Sequence, residues 1–490
     1  SDLNSRLFNK GILPVAVATA MFGAGVASAA DFYLTNDATI DNQTGGNATT
    51  NYIVNANSTL TTNGTMSVYY GTIDGTSGTD AGGTVTIGGN LTIHGNIGAT
   101  NATSNFTISE WNSLTLASNV STFNSDNMTL SDNTVLNFGN VTSGYNRGSS
   151  ETLTFASNIT MGSNSTINVG NGTTLNGNIY GAGTLNVLGN FTSTGSIGAA
   201  QVDGADFITS GLEQINISKG NTFTLNNNAT ATRMNINGTV TVAGNITAAV
   251  TMGASGVLNL NNGNTWGDNA AKVVGAIQSY VVDTAQGTLN INGTFTTQGA
   301  IGQGGKGLAA INLSNSTWAN GFTTTFAHNV NATTIQIGTA TTQNNATLQI
   351  TAGGTSEGVN IAVTGNIIGG GNATSIDNAA GGIFLVSGNA TVNGSIGTSD
   401  NILAAIQIED GTTLTILGAD RNIYANNITM KANNNLLADN ATLAFNGTGT
   451  TTVNGVIAGT VGGGEGLIDI NRSEERRVGK ECRSRWSPYH

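Results

Sequence analysis

Four segments of the chain align with one another without a gap, and this internal repeat limits the possible folds more than any other feature. They read GTVTIGGNLTIHGNIG at 83–98, GTLNVLGNFTSTGSIG at 183–198, GTLNINGTFTTQGAIG at 287–302 and GIFLVSGNATVNGSIG at 382–397. Their starts lie 100, 104 and 95 residues apart. Similarity at a nearly fixed spacing is typical of a solenoid or another repeat array.

Apolar and polar residues alternate inside each copy of this repeat motif. Such alternation predicts strands with one buried face, because successive side chains of a strand point to opposite sides. Glycine takes some of the inward positions, where the backbone turns sharply or packs closely. The inward positions of the first two copies are Val85, Ile87, Gly89, Leu91, Ile93, Gly95 and Ile97, then Leu185, Val187, Phe191 and Ile197.

The composition favours many short strands joined by tight turns. Of the 490 residues 69 are Gly and only 9% are charged, and Asn, Thr and Ser are abundant. Gly, Asn, Thr and Ser are poor helix formers, whereas Thr, Val, Ile and Phe favour strands. We therefore expect an all-β fold, a right-handed parallel β-helix built from internal repeats of about 100 residues. At roughly 20–25 residues per coil, each repeat would hold four or five coils, and a propeller would need a longer basic period.

Both ends of the chain differ from its body. Arg6 and Lys10 precede an uncharged run and a small-residue Ala-Ser-Ala site, which predicts a signal peptide over residues 1–29. Residues 472–490 carry nine charged residues and the single Cys, and they resemble a translated sequencing adapter, so we expect a non-native tail. The predicted β-solenoid body is 30–471, with repeats near 83–182, 183–286, 287–381 and 382–471.

The predicted body is acidic and contains no cysteine. Residues 30–471 hold 7 Lys or Arg and 23 Asp or Glu, a net charge of −16. This charge gives no support to nucleic-acid binding, which needs a basic patch. The body needs no disulfides, which fits a chain that crosses bacterial membranes unfolded.

Few residues of the body suggest catalysis or metal binding. His94 lies at an outward repeat position, which predicts a solvated side chain, and His328 has no partner motif. Paired carboxylates would be needed for a polysaccharide-cleaving β-helix. The candidates are Asp203 with Asp206, the adjacent Glu409 and Asp410, and the isolated Glu357, Glu465 and Asp469.

Local structure explains these candidates more simply than chemistry does. Glu409 and Asp410 precede a glycine and are expected to begin a turn. The sequence therefore predicts no catalytic, cofactor-binding or metal-binding residue and no small-molecule cofactor. The tryptophans are expected to cap or fill local packing rather than to line a sugar site. The Asn-x-Thr/Ser sequons are expected to reflect turn and strand preferences rather than glycan attachment. The residues concerned are Trp111, Trp266, Trp318, Asn47, Asn90, Asn105, Asn158, Asn237 and Asn389.

Two longer phrases resemble the passenger regions of rickettsial surface cell antigens, which are autotransporters. They are GNATVNGSIGTSDNILAAIQIEDGTTLTILG at 388–418 and INGTFTTQGAIGQGGKGLAAINL at 291–313, and the resemblance extends over most of 80–460. It implies a signal peptide, a β-helical passenger and the protein's own C-terminal barrel in the outer membrane. It also implies display at the bacterial cell surface, facing a host-cell receptor or extracellular matrix.

We therefore expect an exported, non-enzymatic surface protein with a structural or adhesive role. The alternatives are a β-helical polysaccharide lyase or hydrolase and a surface-layer or ice-binding protein. Runs such as Thr84-Val85-Thr86 and Thr413-Leu414-Thr415 suggest the last of these. Their irregular spacing argues against it, because a lattice match requires threonine at every coil.

Overall fold

The structure is a computed structural model that describes most of the chain between residues 31 and 470. The described ranges are 31–40, 50–77, 82–138, 152–199, 202–203, 206–207, 211–261, 273–314, 322–338, 346–351, 360–370, 381–431, 440–460 and 466–470. These ranges contain strands and turns but no helix, so the predicted all-β class is confirmed. The predicted signal peptide and tail lie outside them. The chain divides into two compact units, Ser1–Met234 and Asn235–His490.

The first unit consists of short strands. They are β1 (Asp31–Leu34), β2 (Ala38–Ile40), β3 (Asn51–Val54), β4 (Thr59–Thr62), β5 (Val68–Tyr69), β6 (Ile73–Gly75), β7 (Thr84–Ile87), β8 (Leu91–Ile93), β9 (Thr103–Ile108), β10 (Ser113–Leu116), β11 (Thr122–Leu130), β12 (Val135–Phe138), β13 (Leu153–Met161), β14 (Thr166–Val169), β15 (Thr173–Asn176), β16 (Ile179–Gly181), β17 (Thr184–Val187), β18 (Phe191–Ser193), β19 (Ile197–Ala199), β20 (Val202–Asp203), β21 (Asp206–Phe207), β22 (Leu212–Ile217) and β23 (Thr222–Leu225). A further strand, β24 (Ala229–Ile236), contains the residue at which the units divide.

These strands follow one another around three sides of a coil, which we name A, B and C. Each strand pairs in parallel with the strand on the same side of the next coil, as β7 does with β9 on side A. Side B includes the pair β8 and β10, and side C the first halves of β11 and β13. The only antiparallel pair described, β20 with β21, is a small excursion between coils. The unit is a parallel β-helix, as predicted.

The strands divide among the three sides as follows. Side A contains β2, β4, β7, β9, the second halves of β11 and β13, β16 and β19. Side B contains β5, β8, β10, β12, β14, β17 and β22. Side C contains β1, β3, β6, the first halves of β11 and β13, β15, β18 and β23.

The core is formed by the inward side chains of all three sides. The predicted inward residues of the first two motif copies are buried, including Val85, Ile93 and Leu185. Burial of each such side chain contributes about 1.5–3 kcal/mol. Because neighbouring coils are in register, like side chains also stack: the rings of Phe123 and Phe155 lie 4.2 Å apart and nearly parallel.

Coil length varies widely although the register is maintained. Ile167 pairs with Leu136 of the preceding coil and with Leu185 of the following coil, yet the first of these coils is much longer than the second. The expected length of roughly 20–25 residues per coil therefore does not hold for every coil. Extra residues lie in the connections between sides, so the paired strands remain aligned.

The second unit has the same architecture. Its strands are β25 (Thr239–Val242), β26 (Ile246–Met252), β27 (Val257–Asn261), β28 (Val273–Val274), β29 (Ile277–Ser279), β30 (Thr288–Asn292), β31 (Phe295–Thr296), β32 (Leu308–Ser314), β33 (Phe322–Phe326), β34 (Val330–Ile337), β35 (Ala346–Ile350), β36 (Ile361–Gly369), β37 (Ile383–Val386), β38 (Ala390–Asn393), β39 (Leu403–Ile408), β40 (Thr413–Leu417), β41 (Asn422–Met430), β42 (Thr442–Asn446), β43 (Thr452–Gly459) and β44 (Leu467–Ile470).

Its three sides are named D, E and F. Side D includes β38, β40, β42 and β44, side E includes β27, β30 and β32, and side F includes β33, β35, β37 and β39. All of these pairings are parallel. The second unit is therefore also a three-sided parallel β-helix.

Each motif copy forms one coil, but the copies begin on different sides. In the first unit the copy at 83–98 begins on side A with β7, and the copy at 183–198 begins on side B with β17. In the second unit the copy at 287–302 begins on side E with β30, and that at 382–397 on side F with β37. Within each unit, the later copy is therefore displaced by one side.

The intervals between copies contain different numbers of coils. Val85 on side A is followed by Phe106, Met128, Ile159 and Ile179, which makes four full coils before Leu185. Leu289 on side E is followed by Ile311, Ile335 and Ile367, which makes three full coils before Phe384. The prediction of four or five coils per repeat holds for the first interval and is wrong for the second, because the connections there are longer.

The Gly-x-Ile-Gly close of the motif is a steric requirement. A Cβ on Gly95 would lie 1.7 Å from the carbonyl oxygen of Gly71, in the preceding coil. Gly98 has a left-handed backbone, with φ of 63°, and a Cβ there would lie 2.1 Å from the carbonyl oxygen of Asn124, in the following coil. The same two contacts recur in the other copies, at Gly195 and Gly198, Gly299 and Gly302, and Gly394 and Gly397.

Candidate functional site

Side A carries an unbroken outward column of threonines. In register, Thr61 pairs with Thr86, Thr86 with Thr107, and Thr107 with Thr129. The complete column is Thr39, Thr61, Thr86, Thr107, Thr129 and Thr160. The argument from irregular spacing is therefore wrong for this side, because loops of different length separate residues that the register brings together.

A second outward column lies beside the first, two residues earlier in each strand. It consists of Thr59, Thr84, Asn105, Asn127 and Asn158. Neither column contains a charged or aromatic residue. Among the described side chains, the hydroxyls of Thr61, Thr86, Thr107 and Thr129 have no hydrogen-bond partner within the protein, so they can bond to groups outside it.

Side B carries an asparagine ladder whose amides bond to one another. The Asn168 side-chain amide donates to Asn137 Oδ1 over 2.8 Å, and the Asn186 amide donates to Asn168 Oδ1 over 2.8 Å. Asn216 continues the ladder with the same 2.8 Å contact to Asn186. Stacked Asn residues of this kind stabilise parallel in-register strands.

Side E carries a similar ladder. The Asn290 amide donates to Asn259 over 2.8 Å, and the Asn312 amide donates to Asn290 over 2.9 Å. A second row begins with Asn292, which donates to Asn261 over 2.7 Å. These runs of stacked asparagines lie on the outward faces of strands.

Several asparagines also bond to the next coil at corners. The Oδ1 atoms of Asn90 and Asn389, equivalent residues of two motif copies, accept the backbone N–H groups of Ser113 and Thr413. Both bonds are 2.9 Å long. These sequon asparagines therefore have the turn role expected from the sequence, while Asn47 lies outside the described residues.

The carboxylate candidates that the structure describes lie in a turn, a hairpin and a strand. Glu409 begins a turn in which its backbone oxygen accepts from Thr412, as predicted, and its carboxylate binds Lys431 Nζ over 2.6 Å. Asp203 and Asp206 are paired in the β20–β21 hairpin, and their side chains lie outside the described part of the structure. Asp469 is exposed on β44, and Glu357 and Glu465 lie outside the described residues.

His94 and His328, the two histidines among the described residues, belong to the first and the second unit respectively. His94 is outward as predicted, but it is half-buried, because its ring stacks on Tyr70 at 4.6 Å and Nδ1 contacts Asn119 Oδ1 at 3.2 Å. His328 is exposed. Within the described residues, no three His, Cys, Asp or Glu side chains are grouped to hold a metal ion.

Trp111 does not fill a packed site, which is one of the two roles expected of the tryptophans. Its side chain is 72% exposed, and its backbone is left-handed, with φ of 65°. It occupies the turn between β9 and β10, where a side chain points away from the core. Trp266 and Trp318 lie outside the described residues.

The comparisons with known proteins give no relative. No family model, curated protein or solved structure matches the chain. In the part of the chain that the structure describes, no helix is long and apolar enough to cross a membrane.

Proposed function

We propose that this chain is an exported passenger of the autotransporter type, displayed on a bacterial cell surface, with a structural or adhesive role. The observation that carries the proposal is the regular outward surface of the coils, on which hydroxyl and amide side chains recur in register. Side A presents threonines, and sides B and E present asparagine ladders. The resemblance of 388–418 and 291–313 to autotransporter passengers supports it.

Such a surface suits extended contact more than recognition at one pocket. Hydrogen-bonding groups recur at each coil, about 4.8 Å apart. Each net hydrogen bond contributes only about 0.5–1.5 kcal/mol, so useful affinity would require contact along many coils. A host-cell surface receptor or the extracellular matrix could provide a surface of that length.

Display and adhesion require separate tests. Antibodies against residues 183–198 should label intact source bacteria, and a brief protease treatment of those cells should remove the signal. Labelling only after the cells are opened would contradict display.

Adhesion is tested with the purified full chain. Beads coated with it should attach to cultured host cells or to immobilised matrix, and soluble full chain should compete for attachment. Deletion of residues 83–397 should abolish attachment. That deletion removes most coils and can prevent folding of the variant. Competition by the soluble intact chain is therefore the control, because it does not depend on whether the deletion variant folds. Attachment unaffected by competitor would refute an adhesive role.

A further inference from the structure

Side A differs from sides B and E in that the hydrogen-bonding groups of four of its outward threonines are not used along the coil axis. The ladders on sides B and E use their amides to bond along the coil axis, as between Asn168 and Asn137. The hydroxyls of Thr61, Thr86, Thr107 and Thr129 on side A make no such bonds. Each of these residues is half-buried or exposed, with its methyl group beside its hydroxyl.

The geometry of this side is that of a two-dimensional lattice. Successive coils set a repeat of about 4.8 Å along the column, and alternate residues of a strand set about 6.6 Å across it. No register shift interrupts the pairing of residues 59–62 with 84–87 or of 84–87 with 105–108. These two repeats are close to oxygen–oxygen repeats on the surfaces of hexagonal ice.

We propose that side A binds ordered water in the form of ice, through the column that runs from Thr39 to Thr160, with Thr61, Thr86, Thr107 and Thr129 at its centre. Hydroxyls held at lattice spacing bond to surface water, and the intervening methyl groups order the water between them. This inference does not rest on the surface-display proposal, since it concerns the chemistry of one face.

Side A is a better candidate for the ice-binding surface than side C, because its threonine column is longer and its neighbouring column is unbroken. Side C has its own threonine column, which includes Thr154, Thr174 and Thr192, but within the first unit it extends over fewer coils. Its neighbouring column is interrupted by Ala156, whereas that of side A has Thr or Asn at each coil from Thr59 to Asn158. Side A also has no outward aromatic residue before Tyr180, and flat aromatic platforms are the usual means of holding sugar rings.

The test is inhibition of ice recrystallisation by the purified full chain. The expected result is inhibition by the natural chain and its loss in the double variant Thr86→Lys with Thr107→Lys. The matched control is Thr166→Lys with Thr184→Lys, an equivalent outward pair on side B, which should retain inhibition. Circular dichroism checks that the variants remain folded.

Further measurements separate a loss of binding from a loss of fold. Thr86→Val with Thr107→Val keeps the shape and strand preference of the side chains but removes the hydroxyls, and inhibition should weaken. No inhibition by the natural chain, or equal loss in the side A and side B variants, would overturn the proposal. Binding to crystalline cellulose or chitin that the side A variants abolish, without inhibition of ice growth, would also overturn it.

Discussion

The strongest prediction concerns Gly98, the last residue of the first motif copy. Its replacement by alanine adds one methyl group, and the structure assigns two separate costs to that group. The left-handed φ of 63° costs a non-glycine residue about 1–2 kcal/mol. The new Cβ would also lie 2.1 Å from the Asn124 carbonyl oxygen, and overpacking against fixed backbone costs about 1–3 kcal/mol.

Two control glycines separate these costs. Gly220 has φ of 81° but nothing within 4 Å of its Cβ position, so Gly220→Ala should show only the backbone cost of about 1–2 kcal/mol. Gly64 has neither strain nor crowding, and its nearest atom, a carbonyl oxygen of Gly88, is 3.7 Å away. Gly64→Ala should therefore be close to neutral, while Gly98→Ala should cost about 2–5 kcal/mol.

Native-state hydrogen exchange is the appropriate assay, because coils open locally and a single unfolding free energy is poorly defined for repeat proteins. The amide of Asn124 donates to Ile97 over 2.9 Å, directly beside Gly98. Its opening free energy should fall by the full cost in Gly98→Ala. If Gly98→Ala reduces the local opening free energy by no more than Gly220→Ala does near its own site, the steric explanation of the motif glycines is refuted.

Three further predictions follow from the core, the ladder and a buried tyrosine. Phe155→Ala removes a ring stacked on Phe123 and should reduce the local opening free energy by about 3–5 kcal/mol, measured by hydrogen exchange. Asn168→Asp removes the donor to Asn137 and should reduce the local opening free energy by about 1–3 kcal/mol, measured by hydrogen exchange, and unchanged exchange would show that the ladder adds no stability. Burial, with the nearby Tyr52 and Asp74, raises the pKa of Tyr69 well above its usual 10.0, so its contribution to stability is present below that pH and lost as pH rises further. The urea midpoint should fall between pH 9 and pH 11 in the natural chain and fall less in Tyr69→Phe, since phenylalanine cannot ionise.

The strand pattern and the fold class could be predicted from the sequence because both depend on local alternation. Val85, Ile87 and Leu91 are inward in the sequence pattern and buried in the structure. The glycines at 95 and 98 were also visible as a recurring feature. The reason why glycine is required there could not be read from the sequence, because the carbonyl oxygens that exclude a Cβ belong to residues in other coils.

The arrangement of outward side chains could not be predicted, because it depends on register across loops of unequal length. Thr86 pairs with Thr107 and Thr129 pairs with Thr160, although a much longer stretch of chain separates the second pair. Sequence spacing therefore hides the column on side A. The stacking of His94 on Tyr70 is a similar contact between coils, and no local pattern indicates it.

The side on which each motif copy begins is a third feature that the sequence conceals. The copies at 83–98 and 183–198 are similar throughout, which suggests equivalent positions in the coil. The intervening chain instead places β17 one side beyond β7. A gapless alignment records the shape of one coil and carries no information on how far the chain has turned before the next copy.

The most direct test of this three-sided coil is a series of distances along side A, measured by electron spin resonance between paired spin labels. Each protein carries Cys482→Ser, Thr160→Cys and one further cysteine in place of Thr107, Thr86, Thr61 or Thr39. These positions lie two, three, four and five coils from Thr160. The distances should rise in equal steps of about 4.8 Å, from about 10 Å to about 24 Å. Unequal steps that follow the separation in sequence, or broad distributions without order, would contradict the parallel register on which the whole account depends.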